Sequence, residues 1–174
     1  MQFHYIHGTN SLVFKEIWQI YEESFPPDER RTLAQQEELF NRKNYVLLAV
    51  YKENKLVGFI SNWVLDSFCF VEHAAIKKSH QGKGFGTKSL ALYLKKVNKT
   101  FILEVELPTS QIARKRIDFY KKLGFKLNDF DYVQPSYSKS KKSVHLMIMS
   151  YPKELKGDEF EEIKKEIYKK IYGI

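Results

Sequence analysis

The residues best suited to chemistry in this sequence are Gln81-Gly82-Lys83-Gly84-Phe85-Gly86-Thr87, with three glycines in five positions. Glycine lets the backbone approach a ligand closely and turn successive N–H groups toward one point. An apolar run of strand length, residues 68 to 76, comes before it. After it, Leu90, Ala91, Leu94 and Val97 recur at helical spacing. The glycines therefore sit at the mouth of a helix, whose first N–H groups lack partners and whose end carries partial positive charge. That combination is a phosphate cradle. It is not a dinucleotide fingerprint, which needs G-x-G-x-x-G, since the glycines run G-x-G-x-G. Nor is it a nucleotide-hydrolase loop, because Gly86-Thr87-Lys88 has the closing G-K-[ST] in the wrong order.

Other reactive residue types are sparse. Cys69 is the single cysteine and lies inside the apolar run, which reads as a buried small hydrophobe in a reduced compartment rather than a nucleophile. The five histidines show no metal-ligand spacing, so no metal is expected. Three glutamates stand on strands: Glu72 before the glycine turn, and Glu104 and Glu106 on one face of a later strand. The net charge of +8 invites a nucleic-acid reading, yet the 29 basic residues are spread along the chain among 21 acids. No zinc, helix-turn-helix or RNA-reading motif accompanies them, so no nucleic acid is expected as partner. No run of eighteen apolar residues and no signal-peptide pattern is present, which argues for no membrane and a cytoplasmic chain.

The elements that must position these residues follow in order. Residues 2 to 7 read as a strand, and Asn10 or Ser11 can cap a helix to about Ser24. Pro26-Pro27 breaks it, and the charges of Asp28 to Arg31 open a second helix carrying Leu33, Leu39 and Phe40. Residues 45 to 51 and 55 to 64 form a hairpin turning at Glu53-Asn54, followed by strand 68 to 76, the glycine turn and the long helix. Residues 100 to 107 are a further strand and 111 to 123 a helix stopped by Gly124. Residues 125 to 127 and 144 to 149 are a final strand pair. The polar stretch from Asp131 to Lys142 between them reads as a functional loop over an acceptor pocket. Asp158 and Glu161 have capping-box spacing for an amphipathic C-terminal helix, about 158 to 172. The whole chain, 1 to 174, reads as one domain.

Two stretches in register resemble a known family. Gln81, Gly84 and Gly86 meet [RQ]-x-x-G-x-[GA], the acetyl-CoA signature of the GNAT superfamily of N-acetyltransferases. One strand and one helix later, Asp118-Phe119-Tyr120-Lys121-Lys122-Leu123-Gly124-Phe125 resembles that superfamily's F-Y-x-x-L-G-F motif. The resemblance implies an α+β GNAT fold: a mixed, mostly antiparallel twisted sheet with helices on both faces. It also implies acetyl-CoA-dependent transfer of an acetyl group to an amine, the alternative being a catalytically silent acyl-CoA-binding regulatory module.

The residue roles come with the resemblance. Backbone N–H groups of Gly82, Lys83, Gly84, Phe85, Gly86 and Thr87, with Gln81, would bind the pyrophosphate of acetyl-CoA. Its pantetheine arm would pair with Ala74, Ala75 and Ile76 like an added strand. Leu103-Glu104-Val105 matches members whose fifth strand reads L-E-V, which makes Glu104 the general base and Glu72 the runner-up. Tyr120 matches the tyrosine that protonates the departing thiolate. The partner is then a small-molecule or peptide amine of unspecified identity, with a homodimer left open. Two features depart from the family pattern: Ala113 stands where an asparagine is common, and the Glu104-to-Tyr120 segment is a few residues longer than usual.

Overall fold

Glu53 and Asn54 both take positive φ, 50° and 60°, the signature of a two-residue type I′ turn whose twist matches that of paired strands. They join strand β2 (Tyr45–Lys52) to β3 (Lys55–Val64) as the sequence predicts. This computed structural model describes residues 1–138 and 141–174. The chain divides into two compact units, Met1–Lys99 and Thr100–Ile174.

In the first unit β1 (Gln2–Ile6), β2, β3 and β4 (Phe68–Ile76) pair in chain order, all antiparallel. Helix α1 (Leu12–Ser24) is capped by Ser11, whose side chain accepts from the Phe14 N–H. It buries Phe14, Ile17, Ile20 and Tyr21. The side chains of β3 alternate as a strand must: Phe59 meets Tyr21 of α1, whereas Asn62 meets Tyr93 of α3 (Phe85–Val97). Helices thus cover both faces of this sheet. Cys69 is fully buried on the α3 side, its thiol 3.3 Å from Asn62 Oδ1. Burial pushes that thiol up to about 12.

Contrary to expectation, the charges of Asp28 to Arg31 do not open α2. They lie in a single 3₁₀ turn, Pro27–Glu29, and the extended link after it, and α2 runs Leu33–Leu39. A capping box sets that start: Thr32 accepts from the Gln35 N–H, and the Gln35 side chain accepts from the Thr32 N–H.

The second unit holds β5 (Thr100–Glu106), α4 (Gln111–Lys122), β6 (Lys126–Gln134), β7 (Val144–Tyr151) and α5 (Gly157–Ile167). Strand β7 pairs antiparallel with both β5 and β6. Strand β6 is a second correction, because residues 131–134, read as loop, belong to it. Its register is broken: Asn128 pairs with Ile148 and Tyr132 with Leu146, so three residues oppose one. The strand therefore has no clean period in sequence. Of the predicted loop, Lys139 and Ser140 lie outside the described residues.

Helix α5 starts at Gly157, one residue ahead of the expected start, because Glu159 Oε2 accepts the Lys156 N–H. A π turn, Tyr168–Tyr172, continues it. Phe160, Ile167 and Ile171 of this segment are buried. Among the described residues no helix is long and apolar enough to cross a membrane.

Helix α4 ends in two backbone bonds. The Phe125 N–H bonds the Tyr120 carbonyl at 3.1 Å and the Gly124 N–H bonds the Lys121 carbonyl at 2.9 Å. These are the two bonds of a Schellman motif, with Gly124 at φ +96° as its left-handed residue. The apolar contact that completes the motif is Phe125 against Tyr120, ring centroids 5.6 Å apart. The run Tyr120 to Phe125 is thus a helix stop that fixes the Tyr120 ring. A Cβ on residue 124 would meet the Tyr151 ring at 3.2 Å and force a disfavoured φ. Gly124→Ala is expected to cost about 1–2 kcal/mol, read as a drop of several degrees in Tm.

Candidate active site

Strand β4, the glycine turn and α3 hold the first group of candidate residues. Ala74, Ala75 and Ile76 are half-buried at the end of β4. The Gln81 side chain donates to the Ile76 carbonyl at 2.9 Å and so ties the turn back onto the strand. Gly82 and Gly84 both sit at φ +74°, with nothing within 4 Å of an ideal Cβ on either. Gly84 is the N-cap of α3, and no side chain caps that helix end. Backbone shape demands glycine here and the space beside it is open, which is what a phosphate cradle needs. Lys83 in the turn and Lys88 in the first turn of α3 add positive charge.

Glu72 lies in a second cluster in the same unit. The β3–β4 register runs Ser61↔His73 then Asn62↔Val71, which leaves Glu72 as the extra residue of a bulge. Adjacent strand residues normally face opposite ways. Here both Glu72 and His73 reach the α1 side. Glu72 Oε1 accepts from Arg31 Nε at 2.9 Å and Nη2 at 2.8 Å, and Oε2 accepts from Trp63 Nε1 at 2.8 Å. The Glu72 side chain is 1% exposed and that of Arg31 9%. Burial alone would raise this carboxyl, but Arg31 beside it, with His73 and the hydrogen bonds from Trp63 and Arg31, holds it below its ordinary value.

His73 Nε2 lies 2.8 Å from the Glu29 carbonyl. A carbonyl only accepts, so that nitrogen carries the proton. Burial lowers the histidine's pKa, which keeps the ring neutral. The Arg31 N–H donates to the Tyr21 hydroxyl at 2.7 Å. Together these bonds fasten residues 29 to 31 onto the bulge.

The second unit holds the remaining candidates. Glu104 Oε1 accepts from the Tyr132 hydroxyl, and the Tyr172 hydroxyl lies 3.2 and 3.0 Å from its two oxygens. Tyr120 is on α4, buried, and its hydroxyl has no hydrogen-bond partner among the described residues. Burial raises its phenol to about 12. Arg116, one turn earlier, acts against the rise and Glu106 adds to it. Arg116 itself pairs with Glu106. The predicted residues thus fall into three groups: the cradle on β4 and α3, Glu72 in the bulge cluster, and Glu104 and Tyr120 with separate neighbours in the second unit.

The chain matches the family model described as Acetyltransferase (GNAT) family over residues 12–125. It belongs to the GNAT acetyltransferase family. A GNAT-family protein of Bacteroides thetaiotaomicron superposes with a TM-score of 0.92 at 29% identity, covering 100% of this chain and 99% of that one. The ribosomal-protein-S18-alanine N-acetyltransferase of Escherichia coli superposes at 0.61 with 17% identity, over 90% of this chain and 96% of that one. A Bacillus subtilis acetyltransferase in complex with CoA superposes at 0.58 with 16% identity, over 86% and 96%. The fold is therefore the expected GNAT fold. No curated protein matches the chain by sequence.

Within this GNAT chain, the sequence gives Arg31, Trp63, Tyr132 and Tyr172 no carboxylate partner. Arg31 reads as part of a charged helix start, Tyr132 as part of a loop over an acceptor pocket, and Trp63 as a strand aromatic. The tyrosines reach Glu104 from 28 and 68 residues away, beyond any local pattern. A strand tyrosine among aspartates, Asp129 to Asp131 before Tyr132, was the one signal available.

Proposed function

We propose that this GNAT protein is an N-acetyltransferase that moves an acetyl group from acetyl-CoA directly to an amine. The observation that carries this reading is the cradle: an uncapped α3 N-terminus behind Gly82 and Gly84 in left-handed conformation, tied by Gln81 to the strand end at Ile76. Its fit to a pyrophosphate is supported by the open space beside both glycines. The CoA complex of the Bacillus subtilis relative supports the donor class, and the alanine named for the Escherichia coli relative supports an amine acceptor. When bound, acetyl-CoA supplies an activated thioester.

The chain's own residues then have separable tasks. N–H groups of Gly82 through Thr87 hold the phosphates, and the backbone of Ala74, Ala75 and Ile76 orients the pantetheine arm. An N–H near Ala75 or Ile76 polarises the acyl carbonyl. An amine acceptor of pKa ~10.4 must lose a proton before it attacks, and Glu104 takes it directly or through water. Tyr120, neutral over the working pH range, returns a proton to the departing sulfur. Glu72, ionised and fixed by Arg31 and Trp63, is a poor proton acceptor and serves to anchor residues 29 to 31 beside the acceptor. A cytoplasmic setting fits the single unpaired thiol.

The test is a panel of small amines and peptides incubated with acetyl-CoA, with acetylated product read by mass spectrometry. Gly84→Asp accompanies it. Its carboxylate would face the pyrophosphate at the positive end of α3, so the Kd for acetyl-CoA is expected to rise at least about tenfold, beside a drop of a few degrees in Tm from the left-handed φ at that position. Unchanged affinity in the folded variant would refute the cradle. Tight acetyl-CoA binding with no amine acetylated would favour a silent binding module.

A further inference from the structure

Two hydroxyls meet the Glu104 carboxylate, and each arrives by its own structural device. Tyr132 stands just beyond the irregular stretch of β6 and is 1% exposed. Tyr172 ends the π turn that follows α5; such turns are rare and recur at functional sites. Buried Ile167 and Ile171 hold that turn in place, and the Tyr168 hydroxyl donates to the Val133 carbonyl next to Tyr132. Stacking of Phe160 on Phe130, centroids 4.2 Å apart, fixes α5 against β6. Packing alone would be served by phenylalanine. Two tyrosines whose hydroxyls converge on one carboxylate do more: they fix its direction and favour its charged form.

We propose that Tyr132 and Tyr172 are positioning residues for Glu104, so that the C-terminal turn sets the lower pH limit of acetyl transfer. This rests on the reading of Glu104 as the base. The groups that face Glu104 include Tyr132 from β6 and Tyr172 from the π turn. Tyr168 lies on the same turn, and Tyr137 lies against Tyr172 at 5.3 Å. Two residues along β5 is Glu106 with its partner Arg116 of α4, and the paired β7 position is apolar Ile148. Burial, and then the Glu104 charge, push the Tyr132 phenol far above its ordinary value. It therefore remains protonated, and a donor, at neutral pH.

Hydroxyl donors depress a carboxylate's pKa, so removing one raises it, and Glu104 becomes protonated at a pH where it was ionised before. In Tyr172→Phe the acid limb of kcat/KM is expected to move up by about one pH unit. Activity falls several-fold at pH values around the old limb and recovers above the new one, while acetyl-CoA affinity is unchanged. The Glu104 carboxyl resonance, followed by carbon-13 NMR in the full-length protein without substrate, should titrate higher by the same amount. Tyr132→Phe should act likewise. If that more deeply buried variant fails to fold, Tyr172→Phe decides.

An equal loss at all pH values, or an unmoved Glu104 titration, reduces the tyrosines to packing and overturns the proposal. Failure of the underlying reading looks different. There the carboxyl titration moves but the rate profile does not, and Glu104→Gln keeps its acid limb; Glu104 is then not the base and the proposal falls with it.

Discussion

Tyr120→Phe is expected to lower kcat by at least about 100-fold when chemistry limits turnover, the lower end of what general acid catalysis contributes. Folding and acetyl-CoA affinity should change little. The variant keeps the ring that packs on Phe125 and Phe119 at 5.6 and 5.1 Å. Because the hydroxyl has no hydrogen-bond partner among the described residues, its removal breaks no bond there. With its phenol raised to about 12, the side chain is protonated at neutral pH and suited to giving a proton rather than taking one. Glu104→Gln should behave differently. Its loss should shrink as pH rises and free amine becomes abundant unaided. Rate profiles of both variants with one accepted amine separate the roles. Near-full kcat in Tyr120→Phe, with chemistry shown to be limiting, would leave water as the acid.

Arg31→Ala should be the most damaging substitution for stability, at about 3–5 kcal/mol, the usual cost of stripping one partner from a buried ion pair. It strips the guanidinium from Glu72, whose side chain is 1% exposed. The backbone bond from the Arg31 N–H to Tyr21 survives the change, so the effect isolates the side chain. The sign with pH is fixed by the carboxyl. In the parent protein Glu72 is depressed below its ordinary value, so its contribution is present above that value and is lost as pH falls through the folded-state pKa. In the variant, burial acts without the arginine and Glu72 binds a proton readily. The stability gap should be widest near neutrality and narrow as the solution becomes acidic. Urea unfolding at several pH values measures it, and a gap independent of pH would mean that the cost is packing rather than charge.

The sequence carried the local features of this site. The glycine turn was legible because left-handed backbone at a helix start leaves few residue choices. The Tyr120 to Phe125 run was legible because a Schellman stop needs glycine at one position and an apolar residue after it. The hairpin at Glu53-Asn54 was equally local. What could not be read depends on register and on distance along the chain. Glu72 points where it does because β4 carries one residue more than β3 opposite it, and no property of residue 72 announces that. The second half of β6 was hidden by its own irregular pairing, which mixes aspartates into a strand and erases its period of two. Arg31 was read as part of a charged helix start because its carboxylate lies 41 residues away. The carboxylate–tyrosine group depends on a contact across 68 residues.

The burial of Cys69 has a practical consequence for all these measurements. Each acetyl transfer frees one CoA thiol, which disulfide reagents detect by colour. The protein's sole thiol is fully enclosed, sits against Asn62, and ionises only near pH 12. Such reagents attack thiolates they can reach. A continuous assay with this protein should therefore start from a flat baseline, even at high enzyme concentration, where slow variants must be measured. A stoichiometric burst of colour on mixing native enzyme with reagent would signal unfolded material in the preparation, which makes the same assay a check on every mutant.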